Sequence, residues 1–157
     1  MNPSIGISKE HLQTSVTLLS SILSDEMTLY IKTRKFHWNV SGESFMELHK
    51  LFQSQYAELE ETIDEIAERI GKLGSKAIGT MKEFSELTRL KESPNVYPSQ
   101  KEMLNELLSD HETVIVELRK DIDVMAAQNN DAGTTDFLTG IMEHHETTAW
   151  VLRRYLN

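Results

Sequence analysis

Residues 35–73 decide the fold of this chain, and they read KFHWNVSGESFMELHKLFQSQYAELEETIDEIAERIGKL. In the second part of the stretch, apolar residues recur every three or four positions, which is the period of an α-helix with one buried face. These residues are Phe45, Leu48, Phe52, Tyr56, Leu59, Ile63, Ile66, Ile70 and Leu73. The residues before them, NVSG at 39–42, leave helical geometry easily. The stretch therefore predicts the end of one helix, a turn and a long second helix.

The same period continues on both sides of this stretch. Ser8 can cap the start of a first helix, which ends where residues 35–73 begin their turn. Ser99 with Glu102 forms a capping-box pattern at the start of a third helix. A long connection containing Pro94 and Pro98 lets the second and third helices run parallel. We therefore predict an all-α, four-helix bundle with one long crossover. The predicted helices span residues 9–38, 43–73, 81–90 (a short one), 99–128 and 134–156, within a single domain of residues 1–157.

Composition narrows the class of protein. A chain of 157 residues is expected to form one domain. It has no cysteine, which excludes disulfides and thiolate metal sites. It has no long apolar run of the kind that spans a membrane. Residues 1–15 lack the basic and then apolar layout of a signal peptide, so we expect a cytoplasmic protein.

The second predicted helix carries acids and a histidine on one face. Glu60, Asp64 and Glu68 are spaced four residues apart and share that face. His49 lies fifteen residues before Asp64, which places it about 60° round the helix and about 22 Å away along the axis. Metal–ligand bonds are only about 2.0–2.2 Å long. These two residues therefore cannot hold the same ion within one chain.

Two antiparallel copies of this helix would solve the distance problem. About a two-fold axis, the histidine end of one chain meets the acidic end of its mate, and two identical sites form. The predicted ligands are His37 and His49 from one chain with Asp64 and Glu68 from the other. Imidazole with carboxylate suits iron, zinc or manganese. An intrachain di-iron site of the Glu-x-x-His type is disfavoured, because no histidine has Glu three residues before it.

Plainer interpretations of these residues stay open. Acids on a long helix often form only a solvated face, and His37 could cap the last carbonyls of its helix. We predict that His11 and His111 are surface residues. His144 and His145 are adjacent and point about 100° apart on a helix, which disfavours them as a ligand pair.

The motifs together resemble the Dps family, the miniferritins named for DNA protection during starvation. The resemblance rests on the entry His-Trp-Asn-Val-x-Gly, the step Phe-x-x-Leu-His and the run Asp-Glu-Ile-Ala-Glu-Arg-Ile with a trailing Leu-Gly. DFLTGIMEHHETTAWVLRRYL, at 136–156, also resembles the last helix of the family. The resemblance implies a ferritin-like four-helix bundle with a short extra helix in the crossover, assembled as a hollow homo-dodecamer with 23 symmetry.

The resemblance also implies an activity. Dps proteins oxidise Fe(II), usually with hydrogen peroxide, and store the ferric product as a mineral, which protects against oxidative stress. Their ferroxidase centres lie at the two-fold interfaces, and the pattern falls on His37, His49, Asp64 and Glu68. Zinc or manganese is an alternative metal at this site, and dioxygen is an alternative oxidant.

Three further residues acquire expected roles from the resemblance. Trp38 stands where the family has an aromatic residue beside the centre, so it would donate electrons and quench radicals; packing at the interface is the alternative. Asp131 and Asp136 match positions that line a three-fold iron-entry pore. Ordinary capping at the start of the last helix would also explain both acids.

One family trait is not expected here. Dps proteins that bind DNA commonly use a tail rich in Lys and Arg, but residues 1–8 contain neither, and the chain carries a net charge of -9. Such a surface repels phosphate backbones. We therefore predict protection by removal of iron and peroxide rather than by DNA binding. The alternative functions are a DNA-compacting nucleoid protein with incidental iron binding and a helical scaffold or adhesin with a vestigial site.

Overall fold

Residues 3–157 are described by a computed structural model, in which they form five helices and no strand. The predicted all-α, four-helix fold with a long crossover and a short extra helix is confirmed. Residues 1–8 precede the first predicted helix, and of these Met1 and Asn2 lie outside the described residues. The helices are α1 (Lys9–Asn39), α2 (Phe45–Lys72), α3 (Met81–Leu87), α4 (Gln100–Ala127) and α5 (Ala132–Leu156).

The bundle is built from two closely packed helix pairs, α1 with α2 and α4 with α5, while α3 packs against α1. All four long helices contribute to one contiguous core, because each turns its apolar stripe inward. Within residues 3–157, no helix combines the length and apolarity that a membrane span requires. The fully buried core residues include Leu19, Leu23, Phe36, Phe52, Ile66, Leu107, Leu118 and Leu138.

The helix ends differ slightly from prediction for local reasons. Helix α2 begins at Phe45 rather than at residue 43, because Gly42 adopts a φ of 115° and its carbonyl accepts from Phe45 N at 3.1 Å. Helix α3 ends at Leu87 because Thr88 is extended, with ψ 141°. Helix α5 begins at Ala132 because Asp131 caps it. The predicted capping box at the start of α4 is present.

Arg89 fastens the crossover to two of the long helices. Its Nε donates to Asp25 Oδ2 of α1 at 2.7 Å, and its Nη1 donates to Asp121 Oδ2 of α4 at 2.9 Å. Only 1% of Asp25 and 6% of Asp121 are exposed. Burial raises the pKa of both carboxyl groups above the ordinary value, and the charge and hydrogen bonds of Arg89 act in the opposite direction. The crossover is therefore tied to α1 and α4 by a largely buried cation.

Candidate metal centre

The last turn of α1 and the first turns of α2 bring His37 and His49 together. Their rings stack with centroids 3.8 Å apart and an interplanar angle of 20°. Each ring also bonds to the backbone of the other residue. His37 Nδ1 donates to the His49 carbonyl at 2.7 Å, and His49 Nδ1 donates to the His37 carbonyl at 2.9 Å. The tight turn at residues 40–44 makes this reciprocal arrangement possible.

These two hydrogen bonds fix the tautomer of both rings. A carbonyl oxygen can only accept, so each Nδ1 must carry the hydrogen. In a neutral imidazole, the lone pair then lies on Nε2. Within residues 3–157, neither Nε2 of His37 nor that of His49 makes a hydrogen bond. Histidines that bind a metal through one ring nitrogen regularly donate a hydrogen bond from the other nitrogen, which orients the ring and fixes its tautomer.

Aromatic rings hold the histidine pair from two sides. Phe45 lies against His49 with centroids 5.1 Å apart, and Tyr56 meets His37 edge-on at 5.2 Å and 78°. Tyr56 is the functional neighbour that sequence reasoning missed, since it was predicted only as part of the apolar stripe. Tyr56 follows His49 by seven residues, or about two helical turns, and this spacing indicates that both side chains lie on one face of α2.

The predicted acidic ligands lie further along α2 and are exposed. Asp64 lies in a shallow surface groove together with Tyr30 and Glu60. Glu68, one turn later, is 61% exposed and its carboxylate contacts Lys72 Nζ at 3.3 Å. Asp64 and Glu68 thus share one face of the helix, and within residues 3–157 the ion-pair partner of Glu68 is the exposed Lys72. Both carboxylates are accessible to an ion or to a second chain.

The histidine pair and the acidic pair do not meet within one chain. The rise of α2 separates His49 from Asp64 by about 22 Å. Across residues 3–157, no three histidine, cysteine or acidic side chains come together in a group that could hold a metal. Each chain therefore carries two partial donor sets, one of imidazoles and one of carboxylates.

Comparison with known proteins places this arrangement in a family. The Ferritin-like domain family model matches residues 16–157. DNA protection during starvation protein 2 of Bacillus anthracis is 38% identical over 143 residues, which is 90% of this chain and 96% of that protein. The chain belongs to the Dps family of ferritin-like proteins. The family resemblance inferred from the sequence is confirmed.

Other relatives cover this Dps chain equally well. An uncharacterized low temperature-induced protein of Nostoc sp. is 43% identical over 152 residues, which is 97% of this chain and 85% of that protein. The crystal structure of a Dps protein from Bacillus brevis matches with a TM-score of 0.90 at 30% identity, covering 96% of this chain and 100% of that one. The likeness extends over nearly the whole bundle rather than one motif.

Trp38 projects from the surface beside the histidine pair of this Dps chain. Its side chain is 63% exposed, and the Arg34 guanidinium lies 5.5 Å from the centre of its ring. An exposed indole at this position is free to meet a second chain. Electron donation by Trp38 and its packing at an interface both stay predictions.

The two acids predicted for the pore occupy different environments. Asp131 is buried, and its two oxygens accept from Thr134 N at 3.0 Å, Arg69 Nη2 at 3.2 Å and Ser15 Oγ at 3.1 Å. Burial alone would raise the pKa of Asp131, but hydrogen bonds from the hydroxyl and the backbone N of Thr134 and from Ser15, together with the charge of Arg69, leave it below the ordinary value. Asp136 is exposed. Of these two acids, Asp136 is the one whose carboxylate faces solvent.

A buried polar chain crosses the interior of the Dps bundle. His145 Nε2 is 2.8 Å from Glu26 Oε1, and His145 Nδ1 is 2.8 Å from His111 Nδ1. The prediction of His111 as a surface residue is wrong, since only 1% of it is exposed. Burial, followed by the charges of His145 and His144, holds the pKa of His111 well below its ordinary value. His144 instead contacts Glu58 at the bundle surface.

Proposed function

We propose that this protein is a ferroxidase and iron-storage miniferritin, which oxidises Fe(II) with hydrogen peroxide and keeps the ferric mineral inside a dodecameric shell. The observation that supports this most directly is the pair of Nε2 atoms left free by the reciprocal bonds of His37 and His49. Two free imidazole nitrogens at one end of α2 and two accessible carboxylates at the other end suit a site shared between chains.

The shared site requires an antiparallel contact between two copies of α2. His37 and His49 of one chain then lie beside Asp64 and Glu68 of its partner, and the two-fold axis generates a second identical site. Neither half has enough donors alone, so iron binding depends on assembly. The dodecamer is the higher assembly that membership of the Dps family suggests, and we include it in the proposal.

Iron is the substrate at this site. Neutral imidazole nitrogen suits Fe(II), and carboxylate oxygen is a harder donor that favours the ferric product. Hydrogen peroxide accepts two electrons, so two Fe(II) ions and two protons convert one peroxide into two water molecules without releasing hydroxyl radical. Zinc or manganese would bind the same donors as competitors, and dioxygen is the alternative oxidant.

Two surface features extend the proposal. Trp38, exposed beside the histidine pair, would donate an electron to radicals that escape from the iron site and so quench them. Asp136 would line the three-fold pore by which Fe(II) enters the cavity. Asp131, the second acid predicted for that pore, would act there by holding the start of α5 in place, because both of its oxygens are already hydrogen-bonded.

Direct DNA binding is not part of the proposal. The chain carries a net charge of -9, and residues 1–8 contain no Lys or Arg. An anionic shell of such chains would repel the DNA backbone. Protection of DNA would come from the removal of Fe(II) and peroxide, and we expect no retardation of DNA in a gel-shift assay at low salt.

Replacement of Asp64 tests the proposal. Asp64→Asn should lower the rate of Fe(II) oxidation by at least about tenfold, since even indirect partners of a metal site are worth about 10–100-fold. Asp123→Asn, an exposed acid on α4, is the matched control and should oxidise Fe(II) at the parental rate. Assembly is checked by light scattering. Oxidation at the parental rate by Asp64→Asn would refute the assignment.

A further inference from the structure

A short chain of aromatic rings begins at the histidine pair. Tyr56 meets the His37 ring edge-on, with centroids 5.2 Å apart. Tyr30 in turn meets the Tyr56 ring edge-on, with centroids 6.2 Å apart and an interplanar angle of 87°. Both tyrosines are partly buried in the contact between α1 and α2. Two oxidisable phenols therefore lie in direct succession behind a residue proposed to bind iron.

Arg34 places a positive charge beside both phenols. Its guanidinium carbon lies 4.7 Å from the centre of the Tyr56 ring and 5.3 Å from that of Tyr30, and its Nη1 donates to the Tyr30 hydroxyl oxygen. A fixed cation disfavours a second positive charge on a neighbouring ring. Loss of an electron from either tyrosine must therefore be accompanied by loss of its phenolic proton, and only a strong oxidant can take that electron.

The far end of the ring chain reaches the acidic half of the same subunit. Tyr30 and Met27 form one wall of the groove that contains Asp64 and Glu60. His49 and Asp64 are about 22 Å apart along α2. In the proposed antiparallel dimer, these two ends belong to different iron sites. The rings cover the first part of this distance, 5.2 Å and then 6.2 Å from centroid to centroid, and Tyr30 lines the same groove as Asp64.

We propose that Tyr56 and Tyr30 form an electron relay that connects the two iron sites of a dimer. The inference rests on the proposed ferroxidase function and deepens it. A site holding one Fe(II) can supply only one of the two electrons that hydrogen peroxide accepts. The relay supplies the second electron from Tyr56 and recovers it, through Tyr30, from Fe(II) at the other site.

The electrons and atoms of this sequence balance. In the first step, hydrogen peroxide, one Fe(II), the Tyr56 phenol and one proton give two waters, Fe(III) and a Tyr56 phenoxyl radical; the phenolic proton leaves with the electron. In the second step, the phenoxyl radical takes one electron from the other Fe(II) by way of Tyr30 and regains a proton. The sum is two Fe(II) oxidised by one peroxide, with no hydroxyl radical released.

The experiment uses the assembled protein, hydrogen peroxide and two iron loadings. With one Fe(II) per two chains, the parent should show a phenoxyl radical by electron paramagnetic resonance after peroxide is added. With one Fe(II) per chain, that radical should decay as the second iron is consumed. Tyr56→Phe should abolish the signal and increase spin-trapped hydroxyl radical, while Tyr30→Phe should keep the signal and slow its decay at the higher loading.

Tyr97→Phe is the matched control, because Tyr97 is 64% exposed in the crossover and also lies near a cation, Lys35. It should behave as the parent does. An unchanged radical signal in Tyr56→Phe, or no phenoxyl signal in a parent that still oxidises Fe(II), would overturn the relay and leave the ferroxidase function standing. A parent that does not oxidise Fe(II) at all would overturn both.

Discussion

Arg89→Met should destabilise the protein strongly, because it removes the cation that two buried carboxylates share. Asp25 would keep hydrogen bonds from Thr88 Oγ1 at 3.0 Å and from the residue 89 backbone N at 2.6 Å, but it would lose its bond to a positive charge. Asp121 would lose its 2.9 Å bond as well. Removing one partner of a buried ion pair typically costs about 3–5 kcal/mol, because the remaining charge is left uncompensated.

The predicted loss can be read as a change in thermal stability. For a chain of this length, 1 kcal/mol corresponds to roughly 2–4 °C in Tm, so Arg89→Met should lower Tm by roughly 6–20 °C. The loss should also depend on pH. Burial already raises the pKa of Asp25 and Asp121, and removal of the guanidinium raises both further. A raised carboxyl pKa means that the folded state binds more protons, so the deficit should shrink as pH falls from about 7 towards 5.

The matched control is Arg119→Met, which breaks the surface pair between Arg119 and Glu146, whose side chains are 58% and 42% exposed. Surface pairs are worth about 0–1 kcal/mol, so its Tm should change little. All proteins are compared by calorimetry at equal chain concentration, since assembly contributes to Tm. If Arg89→Met lost no more stability than Arg119→Met, the reasoning from burial would be refuted.

Two further predictions concern buried groups. Burial and the neighbouring His145 and His144 depress the pKa of His111, so the unfolded chain binds a proton that the folded chain does not, and stability should fall by up to about 1.4 kcal/mol per pH unit below the ordinary histidine pKa. Urea unfolding at several pH values should show that the stability of His111→Leu lacks this dependence on pH. The same dependence in the parent and the variant would contradict the role of His111. Asp131→Asn should cost about 1–3 kcal/mol in the same assay at neutral pH, through loss of a cap and of buried hydrogen-bond acceptors. The exposed control Asp136→Asn should stay within about 0.5 kcal/mol, and equal losses would show that Asp131 is not structural.

The sequence predicted the fold well because its signals are local. Apolar residues at helical spacing gave the four long helices, and the Ser99–Glu102 capping box fixed the start of α4. The ends that moved depend on interactions absent from a linear pattern. Helix α5 begins at Ala132 because Asp131 caps it through Thr134 N, and contacts with Ser15 of α1 and Arg69 of α2, which no linear pattern shows, hold that carboxylate in place.

The candidate site was predictable in its residue types but not in its geometry. Helical rise alone separates His49 from Asp64, and it could be calculated from the spacing. The reciprocal bonds between His37 and His49 could not, because they depend on how closely the turn brings α1 and α2 together. That contact fixes both tautomers, so the Nε2 atom of each histidine has a lone pair that is free to bind a metal.

The helical period of the sequence indicates the positions of the buried polar chain. Glu26 follows Leu23 by three residues, His111 follows Leu107 by four and His145 follows Ile141 by four. Each therefore continues the apolar stripe of its own helix. The surface prediction for His111 was wrong, whereas the helical period indicates that all three residues lie in the core, where they are buried.

The central claim, that each iron site takes histidines from one chain and carboxylates from its partner, is tested most directly by complementation. His49→Ala and Asp64→Ala should each lack ferroxidase activity alone. When the two variants are co-assembled in equal amounts and mixing is verified by mass spectrometry, half of the dimers are mixed, and each mixed dimer has one intact site. The account predicts recovery of roughly a quarter of the parental activity. No recovery in verified mixed assemblies would contradict a shared site.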